Sequence, residues 1–410
     1  MDNIKKIRAR ITATLFAAQS FTSAGSAAMA AVLSIVAVEL SGNTTLAGVP
    51  NAISQLAAAG AAFWFGYLWE RRGRRFGITL GIGLGAIGLL IMFMAVWGKN
   101  FWLLLFGVIG AGIARSAVQL SRFVAAEVSP PEARGRAISY VVLGGTVGAV
   151  AGPLISDPTN QWGIRLGFGE WAGPLGAGAV LFGISAGIVF FGLQPEPSQV
   201  ARQVDALFPE DKKSAFLTRP LSQIMRQPGV LAAMAAMVIS QMVMIMVMGI
   251  TSLHMKALSH DLGAISAVFS AHMIGMFAFS IFTGQLADRW GRVPVILVGI
   301  VILMASFILA PMYPTALMLG ISLYLLGLGW NLCFVGGSAL LSDQLSSGER
   351  ARTQGYNDLF LGLASALGSL LSGWLFAQGG FGLLNAVSIG LTLIPLVMLG
   401  WWRISARKPA

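Results

Sequence analysis

Twelve apolar runs, each about 20 residues long, follow one another along the 410-residue chain, and nothing constrains its fold more. They lie near 11–38, 46–69, 76–98, 101–128, 136–157, 172–193, 228–256, 263–286, 293–312, 315–343, 354–378 and 382–402. A run of that length can cross a bilayer as a helix, whose backbone polar groups are all satisfied within the segment. Hydrophobic residues make up 56% of the chain, charged residues only 10%, and the mean hydropathy is +0.76, far from a soluble domain. The expected fold class is an all-α membrane protein with twelve transmembrane helices. The first run follows Lys5, Lys6, Arg8 and Arg10. It is too long for a signal peptide and a second span comes at once, so it counts as the first span.

The net charge of +11 reports topology rather than a nucleic-acid partner. Of the 27 Lys and Arg, 22 fall in the N-terminal stretch, the even-numbered connections and the C-terminal tail. Lys99, Arg165 and Lys256 lie on the other side, while Arg115 and Arg122 sit within the fourth span. This positive-inside bias predicts a multi-pass protein of the bacterial cytoplasmic membrane with both termini in the cytoplasm. Cys333 is the single cysteine, so no disulfide framework is expected.

One long polar connection, 194–227, separates an N-terminal six-helix half (1–193) from a C-terminal one (228–410). GYLWERRGRR at 66–75 recurs as GQLADRWGRV at 284–293, an offset of 218 residues. Glu127, Arg134 and Arg136 recur as Asp343, Arg350 and Arg352, 216 residues later for the first pair. Two correspondences at nearly one period indicate an internal duplication, as in transporters built of two pseudo-symmetric halves. The glycines permit a tight turn and close helix approach, and the acid and arginines can form charge pairs and meet helix ends. The latch candidates are Gly66, Glu70, Arg71, Gly73 and Arg74 in the first copy. Gly284, Asp288, Arg289, Gly291 and Arg292 are their counterparts.

The two decapeptides resemble the loop signature of the major facilitator superfamily, G-x-L-x-D-R-x-G-R-R, with Glu70 replacing the usual Asp in the first copy. The resemblance covers the whole chain. It implies the major facilitator fold and alternating access, with a cavity between the halves. Gly148-x-x-x-Gly152-Pro153 in the fifth span resembles the antiporter signature of drug-exporting branches. The same small-residue spacing is also a general recipe for close helix packing.

Nine of the 18 methionines fall between Met234 and Met276, together with all three histidines, His254, His260 and His272. At 100° per residue, Met237, Met244, Met248 and Met255 lie within about 40° of one another on a helix, flanked by Gln241. Met242 and Met246 fall on the opposite face. In the next span His272 and Met276 share a face, four residues apart. Two adjacent helices can thus each offer a pair. Thioether sulfur is a soft donor that suits Cu(I), and imidazole also suits copper; no thiolate or carboxylate accompanies them to favour zinc, iron or magnesium. Methionine also fills gaps in apolar cores, and a buried histidine can serve a structural hydrogen bond, so packing roles stay open.

Met244-Ile-Met-Val-Met248 and His272-Met-Ile-Gly-Met276 resemble the paired motifs of the CcoA-type bacterial copper importers, in a branch that also includes riboflavin importers. That resemblance implies copper uptake across the cytoplasmic membrane for assembly of haem-copper cytochrome c oxidase. It implies Met244, Met248, His272 and Met276 as metal ligands. His254, Met255 and Met237 are candidates for metal entry. The partners expected are a copper ion or small copper carrier, the lipid bilayer and copper-handling proteins, with copper as cargo and no cofactor. Import of riboflavin or a related organic solute, and proton-coupled export of drugs or metabolites, are the alternatives.

Arg115 places a fixed cation near the middle of the fourth span, where it can pair with Asp157 or hold an anionic group of the cargo. Trp330, Asn331, Asn357 and Asp358 can line a pathway or serve structural hydrogen bonds, and Cys333 can be a packed thiol or a later copper stop. No phosphate-binding loop and no nucleophile–base set occur, which argues against direct ATP use and against an enzyme.

Overall fold

The computed structural model describes residues 2–130, 133–207 and 219–406, and these form helices without strands. Part of the central connection, 208–218, lies outside the described residues, as do the side chain of Glu70 and the surroundings of Gly66. Two compact units emerge: 1–43 with 53–210, and 44–52 with 211–410. The 194–227 connection is therefore divided between them, and 44–52 groups with the second unit.

The first unit holds α1 (Asp2–Ser41), α2 (Val49–Arg72, from Ile53 onward), α3 (Arg74–Trp97), α4 (Phe101–Glu127) and α5 (Arg134–Leu154). It continues with α6 (Ser156–Arg165), α7 (Ala172–Gly192) and the short amphipathic α8 (Pro197–Leu207). Lipid offers no hydrophobic drive for helix association, so close backbone approach matters. Gly144, Gly148 and Gly152 of α5 lie directly on the backbone of α1. A Cβ at Gly148 would collide with the Ser20 carbonyl oxygen. The Gly148-x-x-x-Gly152 spacing thus makes a packing seam. Thr22 of α1 and Ser185 of α7 share a 2.8 Å hydrogen bond in the same layer.

The second unit holds a 3₁₀ turn at Thr44–Gly48, α9 (Leu221–Ile224), α10 (Pro228–Ala257), α11 (Leu262–Phe277) and α12 (Ser280–Trp290). α13 (Arg292–Met312), α14 (Ala316–Asp343) and α15 (Ser347–Ala406) complete it. α10 packs mainly on α15 and α14, and α11 and α13 both pack on α14. At 60 residues α15 would run about 90 Å if straight. It turns instead at Gly379 and Gly380, the latter at φ +64°, and so contains both the eleventh and twelfth expected runs.

Nine helices among the described residues are long and apolar enough to cross a membrane, ten if α11 and α12 count as one span bent by 42°. The bend falls inside the eighth run, which the sequence reads as unbroken.

The duplicated motif folds the same way twice. Gly73 (φ 88°, ψ 166°) precedes α3 and Gly291 (φ 94°, ψ 160°) precedes α13, in a region open to glycine and strained for other residues. Arg74 then grips Glu127 with Nε and Nη2, at 3.1 and 3.0 Å. Arg292 donates from Nε to Asp343 at 3.0 Å and from Nη1 to Asp288 at 2.9 Å. The two sequence correspondences are thus the two ends of one ion pair, built once in each unit. Arg71 lies over the Tyr67 ring, 4.4 Å from its centre, while Arg289 is exposed.

Candidate cargo-binding site

α10 starts with Pro228 at its first turn, where a missing N–H costs nothing, and runs 30 residues with all the methionines of its central stretch. The opposite-face pair is packing. Met242 and Met246 both bring Cγ to within 3.2 Å of where a Gly368 Cβ would lie on α15. The other stripe is partly pinned by Gln241. Its Nε2 donates to Ser365 Oγ of α15 at 3.2 Å, and its Oε1 accepts from Trp330 Nε1 of α14 at 2.8 Å. Met244, on that stripe, is 3% exposed, and Met248 is half-buried.

α11 carries the second pair. His272 is 0% exposed, and its Nδ1 lies 2.9 Å from the Leu323 carbonyl oxygen of α14. A carbonyl only accepts, so Nδ1 carries the proton; in the neutral ring Nε2 keeps its lone pair. Nε2 is buried and has no hydrogen-bond partner among the described residues. An imidazole oriented through one nitrogen by a carbonyl, with the other nitrogen free, is the arrangement of a metal-ligating histidine. Met276, 8% exposed, stands one turn later at the very end of α11.

α14 is the support common to both pairs. Trp330 anchors α10 through Gln241, and Leu323 anchors α11 through His272. Asn331 holds the break between α11 and α12. Its Nδ2 donates to the Met276 carbonyl oxygen at 2.6 Å and to Ser280 Oγ at 2.8 Å, while its Oδ1 accepts from Thr283 Oγ1 at 2.6 Å. Asn331 is fully engaged in structure. α10 and α11 themselves approach one another little, so the two pairs are related through α14 and not by direct packing of neighbouring helices. Asn331→Leu should leave those three partners unpaired. The expected cost is about 3 kcal/mol, at roughly 1 kcal/mol or more per stranded group, read as a lowered melting temperature of the purified protein.

The candidate entry residues are more occupied than the sequence suggests. Met237 is fully buried beside Gly337 of α14, and its Sδ accepts a 3.8 Å contact from Asn357 Nδ2 of α15. His254 stacks on Phe381 with ring centres 4.1 Å apart, and Met255 is fully buried. His260 binds the Pro314 carbonyl oxygen through Nε2 at 2.7 Å. Cys333 is a packed thiol, its Sγ 3.7 Å from the Ile296 carbonyl oxygen against α13. Asp358 is exposed and accepts from Gln354 at 2.9 Å.

In the first unit Asp157 accepts from Gln161 Nε2 at 2.9 Å, and no ion pair joins it to Arg115 among the described residues. Arg122 lies over the Phe123 ring, 5.0 Å from its centre.

Sequence reasoning passed over the aromatic group around Trp330. Phe334 stacks on Trp330 at 4.8 Å and 21°, and Phe277 meets its edge at 6.4 Å. The i, i+4 spacing of Trp330 and Phe334 on one helix was the available signal.

The sequence profile of the Major Facilitator Superfamily matches residues 15–258 and 234–410. The chain is 30% identical over 384 residues to the MFS-type transporter YdeG of Bacillus subtilis (strain 168), covering 93% of this chain and 89% of that protein. It is 28% identical to the riboflavin transporter RfnT of Brucella anthropi over 89% of each. Among solved structures, the nucleoside transporter NupG superposes with a TM-score of 0.73 at 17% identity, covering 98% of this chain and 100% of that one. The chain belongs to the major facilitator superfamily and is a multi-pass membrane transporter, not an enzyme.

Proposed function

We propose that this transporter imports copper across the bacterial cytoplasmic membrane, exposing its site alternately to the two sides. Met244, Met248, His272 and Met276 are the cargo ligands, and the copper supplies haem-copper cytochrome c oxidase assembly. The observation that carries the reading is the fully buried His272 ring, tied through Nδ1 to Leu323 and left with Nε2 unpartnered among the described residues. A buried polar atom without a partner is costly, and a cargo that supplies the missing bond is the economical reason to keep it. Three thioethers and one neutral imidazole, once brought to a shared ion, would form an uncharged soft set. That set suits Cu(I) and, lacking thiolates, lets it go again.

A second reading is uptake of riboflavin or another flat organic solute. The likeness to RfnT along most of both chains favours it, as does the Phe277–Trp330–Phe334 group beside the Gln241 amide. Aromatic faces and a nearby amide are what a stacked, hydrogen-bonding heterocycle needs. One experiment separates the two. Cells lacking their own high-affinity copper uptake, and cells unable to make riboflavin, are given the same gene. Restored cellular copper and oxidase activity without flavin rescue is the expected result. Flavin rescue with unchanged copper content rejects the copper reading.

A further inference from the structure

The end of the second unit that carries the GQLADRWGRV turn has a groove of 650 Å³, lined in part by Trp290, Gly291, Arg292, Val293, Trp402 and Arg403. Among the described residues no acidic side chain lines it. The Arg292 guanidinium is spent on Asp288, Asp343 and the Ala287 carbonyl oxygen. Arg403 is exposed and has no carboxylate partner among the described residues. Trp290 closes α12 with 62% of its surface exposed, and Trp402, half-buried near the end of α15, lines the same groove.

The duplication says what chemistry the head of α13 accepts. In the first unit the equivalent helix start, after Gly73, is met by a carboxylate. The Arg74 and Arg75 N–H groups both donate to Glu196 Oε1, at 2.6 and 3.4 Å. After Gly291 the backbone turns the same way, but no side chain among the described residues takes the place of Glu196. The anion-binding backbone is kept, its acid is absent, and a groove with an uncommitted guanidinium stands there instead.

We propose that this groove binds the phosphate of an anionic phospholipid from the leaflet on that side, the cytoplasmic one in the orientation the charge distribution implies. The phosphate oxygens meet the Arg403 guanidinium and the Arg292 and Val293 N–H groups at the head of α13, where Pro294 offers none, and the acyl chains leave past Trp290 and Trp402. Guanidinium suits phosphate through paired N–H donors, and a helix N-terminus adds favourable field. Two tryptophans in its lining place the groove at the water–hydrocarbon boundary, which selects a lipid over a soluble phosphate.

The test uses the full chain purified in a neutral detergent. Native mass spectrometry counts bound phosphatidylglycerol, phosphatidylethanolamine or soluble sn-glycerol 1-phosphate at equal concentration. Phosphatidylglycerol should bind at least fivefold better than phosphatidylethanolamine. Arg403→Gln should erase that preference, whereas Arg202→Gln, at an exposed site in the first unit, should keep it. Equal retention of both lipids by the wild type overturns the proposal, as does an unchanged preference in Arg403→Gln. Glycerol phosphate binding as well as the lipid would make this a soluble-phosphate site and overturn it too.

Discussion

His272→Asn should reduce copper uptake at least about tenfold while the protein accumulates and melts as the wild type does. Changing groups that merely orient a metal ligand commonly costs 10–100-fold, so removing the ligand itself should cost no less. Asparagine is the informative replacement. Its Nδ2 falls near the place of imidazole Nδ1, so the bond to the Leu323 carbonyl can be kept, but nothing takes the place of Nε2. Alanine would confuse the outcome by adding a cavity in a fully buried position and freeing that carbonyl. Met276→Leu and Met248→Leu, close in volume, should each lower uptake by a smaller factor. Wild-type copper uptake in all three variants would reduce His272 to a packing residue. If His272→Asn does not accumulate, the two leucine variants still decide the matter.

What the sequence discloses about this site, and what it hides, follows from the range of the forces involved. Helical periodicity alone separates Met244 and Met248 from Met242 and Met246, and the packing of the latter pair on Gly368 agrees with that division. Periodicity is silent on which neighbour a stripe meets. It places Met237 beside Gln241, yet Met237 is wedged at Gly337 and Asn357, where a thioether acts as apolar filler with a weak acceptor. The break after Met276 is equally silent, because apolar residues continue through it. Asn331, more than 50 residues away, takes the Met276 carbonyl that would otherwise serve the helix. The repeated charges were visible as spacings, but Arg74–Glu127 and Arg292–Asp343 close over 53 and 51 residues, which only the fold can reveal. The long apolar runs needed no such help, since they follow from local hydropathy and the need to satisfy backbone groups within lipid.

Glu349→Gln should destabilise the second unit by about 2–3 kcal/mol, somewhat below the 3–5 kcal/mol typical when one partner of a buried pair is lost. Glu349 is 1% exposed in the first turn of α15, and its carboxylate collects four donors. Arg219 supplies its backbone N–H, Nε and Nη2 at 2.9, 2.8 and 2.7 Å. The Ser346 N–H adds a fourth at 2.9 Å, in the Ser-x-x-Glu pattern of a capping box. The discount arises because Arg219 is 35% exposed and can be rehydrated when its partner goes. Hydrogen bonds from Arg219, foremost, hold the Glu349 carboxyl well below the ordinary carboxylate range, and the same contact raises the Arg219 guanidinium. A carboxylate depressed in the native state stabilises fully above its unfolded value, near 4.3, and loses that contribution only as pH falls through the lower native value. The deficit of Glu349→Gln should therefore stay constant from pH 8 to 5 and shrink only in stronger acid. Thermal melts of wild type and variant across that range measure it. A deficit that faded between pH 8 and 5, or a variant melting with the wild type at pH 7, would mean that Glu349 is solvated and that this end of α15 is held by its helix contacts alone.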